Sequence, residues 1–190
     1  MRTQVIREKT EPIVDFIAKP FLYMHFSPNI ISFFSIITLI VFFPMLKNGY
    51  FYVSALMILL NGFFDIMDGA VAKASGKSSA LGTLVDRTID KISDGAILAA
   101  YVLYGLVSIP LGIYTLVVMF LATNVSANIE AVLHFKISNS ISLRFFRIIV
   151  LILFTILQQF KIMFIILAVI STYSMIYRLL IAYSIYSKKK

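Results

Sequence analysis

Five of the nine acidic residues in this 190-residue chain lie between positions 65 and 94. They are Asp65, Asp68, Asp86, Asp90 and Asp94. The three-residue spacing of the first two, and the four-residue spacing of Asp86 and Asp90, place each pair on one face of a helix. Clustered carboxylates repel one another unless they are protonated or neutralised by cations, and hard oxygen ligands suit Mg²⁺, Ca²⁺ or Mn²⁺. The spacing therefore predicts a metal site shared by two helices, of the kind in which two divalent ions clamp a phosphoryl group.

The segment between the two carboxylate pairs has features that suit a phosphate ligand. Gly69 directly follows the first pair, and the small residues from there to Gly76 would let a ligand approach closely. The serines of 75–79 would supply hydroxyl and N–H donors at the start of the next helix, where the helix dipole favours anions. The alternative is that the aspartates are structural. They would then make polar contacts between helices or form ion pairs with Lys73, Arg87 and Lys91.

The elements that must position these residues are transmembrane helices. The chain is 60% hydrophobic and 14% charged, against about 45–50% and about 25% in soluble domains. This excludes a soluble globular enzyme and a disordered chain. A spanning helix uses about 20 residues, and six apolar runs fit that length, at about 28–46, 51–70, 81–105, 109–133, 143–160 and 162–186. We therefore predict an all-α integral membrane protein with six transmembrane helices.

The N-terminal segment differs from the apolar runs that follow it. Residues 2–19 have charged and apolar faces, which predicts an amphipathic helix in the membrane interface. A solvated lead-in to the first span is the alternative. No repeat or second domain is visible, so we predict one domain over 1–190, with the interfacial helix and lead-in in 1–26 and the six-helix bundle in 27–190.

The basic residues predict an orientation for this bundle. With the N-terminus in the cytoplasm, all of the 17 lysines and arginines except Lys47 and Lys161 fall on the cytoplasmic side. This bias predicts a multi-pass protein of the cytoplasmic membrane, with both termini and the carboxylate site on the cytoplasmic side. The net charge of +8 then reflects topology, and no nucleic acid partner is expected. Because the chain has no cysteine, a thiolate metal site and a cysteine nucleophile are excluded.

The run from Asp65 to Asp90 resembles the signature of the CDP-alcohol phosphatidyltransferase family. It reads DIMDGAVAK, eight further residues and GTLVDRTID, and the family signature is D-x2-D-G-x2-A-R-x8-G-x3-D-x3-D. Lys73 is the single departure, since it keeps the charge of the usual arginine but lacks its planar fork. The resemblance implies metal-dependent transfer of a phosphatidyl-type group, diacyl or archaeal ether, from a CDP-linked lipid to an alcohol, with release of CMP.

The resemblance also assigns roles by motif position. It implies two divalent cations, Mg²⁺ or Mn²⁺, held by Asp65, Asp68, Asp86 and Asp90. It implies a CDP site lined by Asn29, Asp68, Gly69, Ala72, Lys73 and Gly82. Asp90, at the end of the motif, is the candidate general base for the acceptor hydroxyl. The family is commonly dimeric, so a homodimer in membrane lipid is expected.

A second group of polar residues bears on the identity of the acceptor. Its members are basic and lie near the predicted cytoplasmic side: Lys136, Arg144, Arg147 and Arg178. If they converge, they bind a phosphate that is not part of CDP, which favours inositol phosphate or glycerol phosphate over choline. The alternatives are the general positive charge of the cytoplasmic face and, for Arg178, snorkelling to the interface.

Further resemblance favours inositol phosphate among these acceptors. Asp94, four residues after the signature, and Glu130, followed by the two arginines of 143–147, resemble elements of the inositol-phosphate-using branch of the family. Asn128 and Leu143 depart from that branch, because arginine and glutamate are common at their positions. Glycerol 3-phosphate and serine stay open as alternative acceptors.

Two functions from other classes would use similar residues. Segments 61–65 and 86–90 resemble fragments of the aspartate-rich motifs of membrane prenyltransferases, but those enzymes need more spans than 190 residues supply at about 20 residues each. A cation transporter or channel would use the aspartates as an ion path. Such a path needs polar residues that continue to the far face, whereas the sequence between Asp94 and Asn124 is almost wholly apolar.

Overall fold

The structure is a computed structural model that describes Pro20, Tyr23 and residues 28–76, 80–133 and 140–188, without the side chains of 28, 29, 80, 83, 85–87, 133, 140–143 and 188. The described residues form six helices and no strand: α1 Pro28–Lys47, α2 Phe51–Ala74, α3 Ala80–Leu103, α4 Ile109–Leu133, α5 Ser140–Ile156 and α6 Phe160–Lys188. The predicted all-α architecture is confirmed over this part of the chain. The interfacial helix predicted for residues 2–19 lies outside the described residues.

Four of these helices are long and apolar enough to cross a membrane. They contain the candidate spans Ile30–Lys47, Phe51–Ala74, Ile109–Val132 and Phe160–Ser187. Helix α3 carries five charged side chains between Asp86 and Asp94, and α5 has only 17 residues, so neither qualifies by the same measure of length and composition. The chain is thus a multi-pass membrane protein, and the number of six spans stays a prediction.

A tight turn joins α1 to α2. The side chain of Asn48 donates to the carbonyl of Pro44 at 2.8 Å, and the backbone N–H of Tyr50 donates to the carbonyl of Met45 at 2.9 Å. These bonds satisfy carbonyl groups at the end of α1 that have no partner within the helix. Gly49 has a φ of +78°, a left-handed conformation that glycine adopts at little cost. The two helices consequently run antiparallel, and the start of α1 lies beside the end of α2.

Contacts divide the chain within α3 into two compact units, Met1–Ile97 and Leu98–Lys190. In the first unit, α1 packs along α2. Ile31, Met67 and Val71 are buried together, and the rings of Phe34 and Phe64 stack with 5.6 Å between their centroids. These contacts fix the register of the two helices next to the first carboxylate pair. The single domain over 1–190 remains a prediction.

In the second unit, α6 packs against both α4 and α5. The hydroxyl groups of Tyr114 on α4 and Thr172 on α6 are hydrogen-bonded at 2.9 Å. The hydroxyl group of Tyr101, at the end of α3, is fully buried and lies 2.5 Å from the hydroxyl oxygen of Thr155 on α5. Polar groups inside a membrane protein must find their partners within the protein, because the lipid offers none. These bonds therefore connect α4 to α6 and the end of α3 to α5.

Candidate active site

The first carboxylate pair lies near the end of α2. Asp68 is only 7% exposed, and its Oδ2 accepts a 2.6 Å hydrogen bond from the hydroxyl group of Ser32, near the start of α1. Asp65 lies one turn earlier on α2 and is half-buried. The serine and Asp68 are 36 residues apart in sequence. They meet because the antiparallel packing of α1 and α2 brings the start of one helix beside the end of the other.

The second carboxylate pair lies on the first half of α3. Asp90, a member of this pair, is half-buried, and so is Asp94 one turn further along the helix. Asp86 occupies the preceding turn of the helix, but its side chain lies outside the described residues. Among the side chains that the structure describes, no three acidic, histidine or cysteine groups are placed to hold one metal ion. The four-carboxylate site therefore stays a prediction, since it includes the side chain of Asp86.

The residues predicted to bind CDP lie on the ends of α1, α2 and α3. Gly69, Lys73 and Gly82 are exposed, and Ala72 is half-buried. A Cβ added to Gly69 would have no described atom within 4 Å. Packing among the described residues thus does not require a glycine there, although glycine costs about 1 kcal/mol relative to alanine inside a helix. Asn29 is in the first turn of α1, and its side chain lies outside the described residues.

The chemistry of these residues fits a divalent metal ion. The predicted ligands are all carboxylates, and Mg²⁺ and Mn²⁺ prefer oxygen ligands. An ionised carboxylate as buried as Asp68 is costly unless it is both hydrogen-bonded and near positive charge. The hydroxyl group of Ser32 supplies a hydrogen bond but no charge. A bound divalent cation would supply positive charge that favours the ionised form of this carboxylate.

A buried polar network continues along the same helix pair and was not found by sequence reasoning. The amide Nδ2 of Asn61 on α2 donates to Ser35 on α1, at 2.8 Å to its hydroxyl oxygen and 3.0 Å to its carbonyl oxygen. It also lies 3.3 Å from the hydroxyl oxygen of Thr38. The signal in the sequence was the spacing of three between Ser32, Ser35 and Thr38, which puts three hydroxyl groups on one face of an apolar span.

The predicted acceptor residues lie in the second unit. Arg178 on α6 is 4% exposed, and its guanidinium group donates to the carbonyl oxygen of Ala122 on α4 at 2.5 Å. This bond holds the side chain inside the protein, so Arg178 does not snorkel. Arg147 on α5 is near enough for its positive charge to repel that of Arg178, and Arg144, three residues earlier, is half-buried. Lys136 lies outside the described residues.

A buried guanidinium group such as that of Arg178 is unfavourable unless acceptors or an anion offset the loss of water. Arginine binds phosphate through paired, charge-assisted hydrogen bonds. The buried guanidinium group of Arg178 therefore supports a phosphate site in the second unit. The apolar helices and the carboxylate signature, in turn, define a multi-pass membrane protein with a candidate divalent-metal site.

The family follows from comparison with known proteins. The model of the CDP-alcohol phosphatidyltransferase family matches residues 25–182. The chain therefore belongs to the CDP-alcohol phosphatidyltransferase family, a class of divalent-metal-dependent transferases of phospholipid biosynthesis.

Individual relatives carry two related names. The chain is 28% identical over 176 residues to an archaetidylinositol phosphate synthase of Pyrococcus horikoshii, covering 91% of this chain and 92% of that protein. It is 29% identical over 127 residues to a phosphatidylinositol phosphate synthase of Mycobacteroides abscessus, covering 63% of this chain and 56% of that protein.

Crystal structures of the phosphatidylinositol phosphate synthase of Mycobacterium tuberculosis have the same fold. With CDP-DAG bound, that protein matches at a TM-score of 0.71 and 21% identity, over 90% of this chain and 94% of that one. In complex with manganese and citrate it matches at a TM-score of 0.70 and 20% identity, over 90% of this chain and 88% of that one.

Proposed function

We propose that this protein transfers a phosphatidyl-type group, diacyl or archaeal ether, from a CDP-linked lipid to a hydroxyl group of inositol phosphate and releases CMP. The observation that favours a phosphorylated acceptor is the guanidinium group of Arg178, which is buried although arginine is the side chain best suited to bind phosphate. Inositol phosphate would bring a phosphate group to this guanidinium group, whereas serine has no phosphate. The names of the relatives above, both inositol phosphate lipid synthases, support the same acceptor.

The carboxylates of α2 and α3 would hold the donor lipid through two divalent cations, Mg²⁺ or Mn²⁺. The ligands would be Asp65, Asp68, Asp86 and Asp90. When bound, such ions neutralise the diphosphate and the charge that develops on the CMP leaving group. Lys73, exposed at the end of α2, adds a positive charge for the same diphosphate. The CDP site would be completed by Asn29, Gly69, Ala72 and Gly82.

Asp90 would remove the proton of the acceptor. As the acceptor oxygen bonds to the lipid-side phosphorus, its proton passes to the carboxylate of Asp90, and the bond between that phosphorus and the bridging oxygen breaks. The electron pair of the broken bond leaves with CMP. Arg147 and Arg178, with Arg144 and Lys136, would hold the phosphate of the acceptor while this happens. Positioning the acceptor in this way replaces a bimolecular encounter by a reaction within one complex.

The proposed membrane arrangement follows the distribution of charge. Six spans, with an interfacial helix before them, place both termini and the carboxylates on the cytoplasmic side of the cell membrane. All four candidate spans in the described residues fit this count. The single domain over 1–190 and a homodimer complete the proposal.

A pair of glycine substitutions separates ligand contact from packing. Gly69→Ala should leave the thermal stability in detergent unchanged or slightly higher, because no described atom lies within 4 Å of the new Cβ. Its affinity for CDP-lipid should fall by about tenfold or more, equivalent to ~1.4 kcal/mol.

In the control, Gly112→Ala, the new Cβ would lie 2.2 Å from Cγ2 of Val102. Such overpacking should cost about 1–3 kcal/mol of stability without a specific effect on CDP-lipid. Normal CDP-lipid affinity in Gly69→Ala would contradict the proposed approach of the ligand.

The acceptor is tested by CMP release from CDP-linked lipid in detergent or proteoliposomes. Inositol phosphate should stimulate release, whereas glycerol 3-phosphate, serine and unphosphorylated inositol should not. No stimulation by inositol phosphate would reject the proposed acceptor, and stimulation by glycerol 3-phosphate or serine would identify the alternative. Turnover of a prenyl diphosphate, or cation flux without any need for CDP-lipid, would reject the proposed reaction as a whole.

A further inference from the structure

The hydrogen bond between Ser32 and Asp68 connects a residue outside the family signature to a residue inside it. The hydroxyl group of Ser32 donates to Oδ2 of Asp68 at 2.6 Å. Asp68 is buried and Ser32 is half-buried. A short hydrogen bond to a carboxylate is of the charge-assisted kind, which is roughly twice as strong as a neutral one. The contact is therefore strong enough to orient the carboxylate.

The packing of α1 on α2 holds this serine in place. Ile31, the residue before it, is fully buried against Met67 and Val71 on α2. One turn further along α1, the ring of Phe34 stacks on Phe64. Neither helix can rotate or slide without breaking these contacts. The position of the hydroxyl group relative to α2 is consequently set by the fold and does not depend on the serine alone.

We infer that Ser32 is a positioning residue that holds the carboxylate of Asp68 in the orientation needed to bind a divalent cation. This inference rests on the proposed role of Asp68 as a metal ligand. An ionised carboxylate has about four lone-pair sites, and the hydroxyl group of Ser32 takes only one of them. Unlike a lysine or an arginine, a serine fixes the carboxylate without cancelling its negative charge. Hydrogen bonds of this kind behind metal ligands are typically worth 10–100-fold in metal affinity or activity.

A purely structural role for Ser32, in which its hydrogen bond only holds two helices together, makes a different prediction. The same interface contains a second interhelical hydrogen bond, from Asn61 to the hydroxyl oxygen of Ser35 at 2.8 Å. Ser35 lies on the same face of α1, one turn further along, and is buried. Both hydroxyl groups take part in hydrogen bonds between α1 and α2, but of the two only that of Ser32 bonds a predicted metal ligand. Ser35→Ala is thus a matched control.

The experiment measures Mn²⁺ binding to the purified full-length protein by electron paramagnetic resonance of the free ion, with and without CDP. Ser32→Ala should weaken Mn²⁺ binding by about tenfold, the lower end of the range for such contacts. Ser32→Thr should restore it, since threonine keeps the hydroxyl group. Ser32→Val, which has the shape of threonine without its hydroxyl, gives a second comparison if the alanine variant does not fold. Ser35→Ala should lower the melting temperature and leave Mn²⁺ affinity unchanged.

An Asp68→Asn arm separates this inference from the proposed function. Loss of Mn²⁺ binding in Asp68→Asn, with wild-type binding in Ser32→Ala or in Ser32→Val, would overturn the role of Ser32 and leave the metal site standing. If Ser32→Ala and Ser35→Ala weakened Mn²⁺ binding equally, the hydroxyl group of Ser32 would only stabilise the packing of the two helices. Normal Mn²⁺ binding in Asp68→Asn would reject the metal site itself, and the inference with it.

Discussion

An Asp90→Asn enzyme is expected to bind CDP-lipid with nearly normal affinity and to release CMP about 10²–10⁴-fold more slowly, the usual contribution of a general base. Asparagine has the size of aspartate but cannot accept the proton of the acceptor hydroxyl. Asp90 is half-buried on α3, one turn after Asp86, at the last position of the signature. The measurement is single-turnover CMP release from a preformed complex with CDP-lipid, after addition of inositol phosphate.

Asp94→Asn is the matched control for this experiment. Asp94 lies one turn further along α3 and is half-buried to a similar degree, but it is outside the signature. With inositol phosphate at saturating concentration, most of the turnover should survive its replacement, even if Asp94 contributes to binding of the acceptor. Unchanged turnover in Asp90→Asn would contradict the role as a base. Loss of CDP-lipid binding together with turnover would leave Asp90 as a metal ligand only.

The helices could be located from the sequence because each break has its own local signal. Lys47 to Gly49 and Gln158 to Lys161 interrupt apolar runs, and the structure has turns at Asn48 and Gly49 and between Ile156 and Phe160. The predicted runs 81–105 and 109–133 place the third break close to its position in the structure, between Leu103 and Ile109. The N–H of Leu106 bonds to the carbonyl of Tyr101 across this turn, and Pro110 falls in the first turn of α4, where its missing N–H has no cost.

The partners of the polar residues could not be predicted in the same way. The spacing of Asp65 and Asp68 fixes their common helix, because it depends only on the period of that helix. That Ser32 meets Asp68 depends on the register of α1 against α2, and most side chains of α1 are apolar on every face. The hydroxyl groups of Ser32, Ser35 and Thr38 mark one face of α1, but they do not identify the residues of α2 that this face meets. The burial of Arg178 among the apolar residues of α6 was hidden for the same reason.

Replacement of Arg178 should raise the KM for inositol phosphate more than any other single change in the second unit. A hydrogen bond to a charged group is worth about 1.5–3 kcal/mol, which corresponds to roughly 10–100-fold in affinity. Arg178→Gln should show this loss in steady-state assays of CMP release, with the KM for CDP-lipid unchanged. The KM of Arg178→Lys for inositol phosphate should lie between those of the wild-type enzyme and Arg178→Gln. Lysine keeps the positive charge but lacks the planar fork that reaches the carbonyl of Ala122.

Lys161→Gln removes the same charge from an exposed position in the first turn of α6 and should leave both KM values unchanged.

Arg147→Gln should also weaken the binding of inositol phosphate. The double variant should lose less binding free energy than the sum of the two single losses, because residues that share one ligand are coupled. Additive losses would place the two arginines in separate sites. The contrary result would be that Arg178→Gln lowers the melting temperature and weakens the binding of CDP-lipid as much as that of inositol phosphate. In that case the bond from Arg178 to Ala122 is structural, and the acceptor phosphate binds elsewhere.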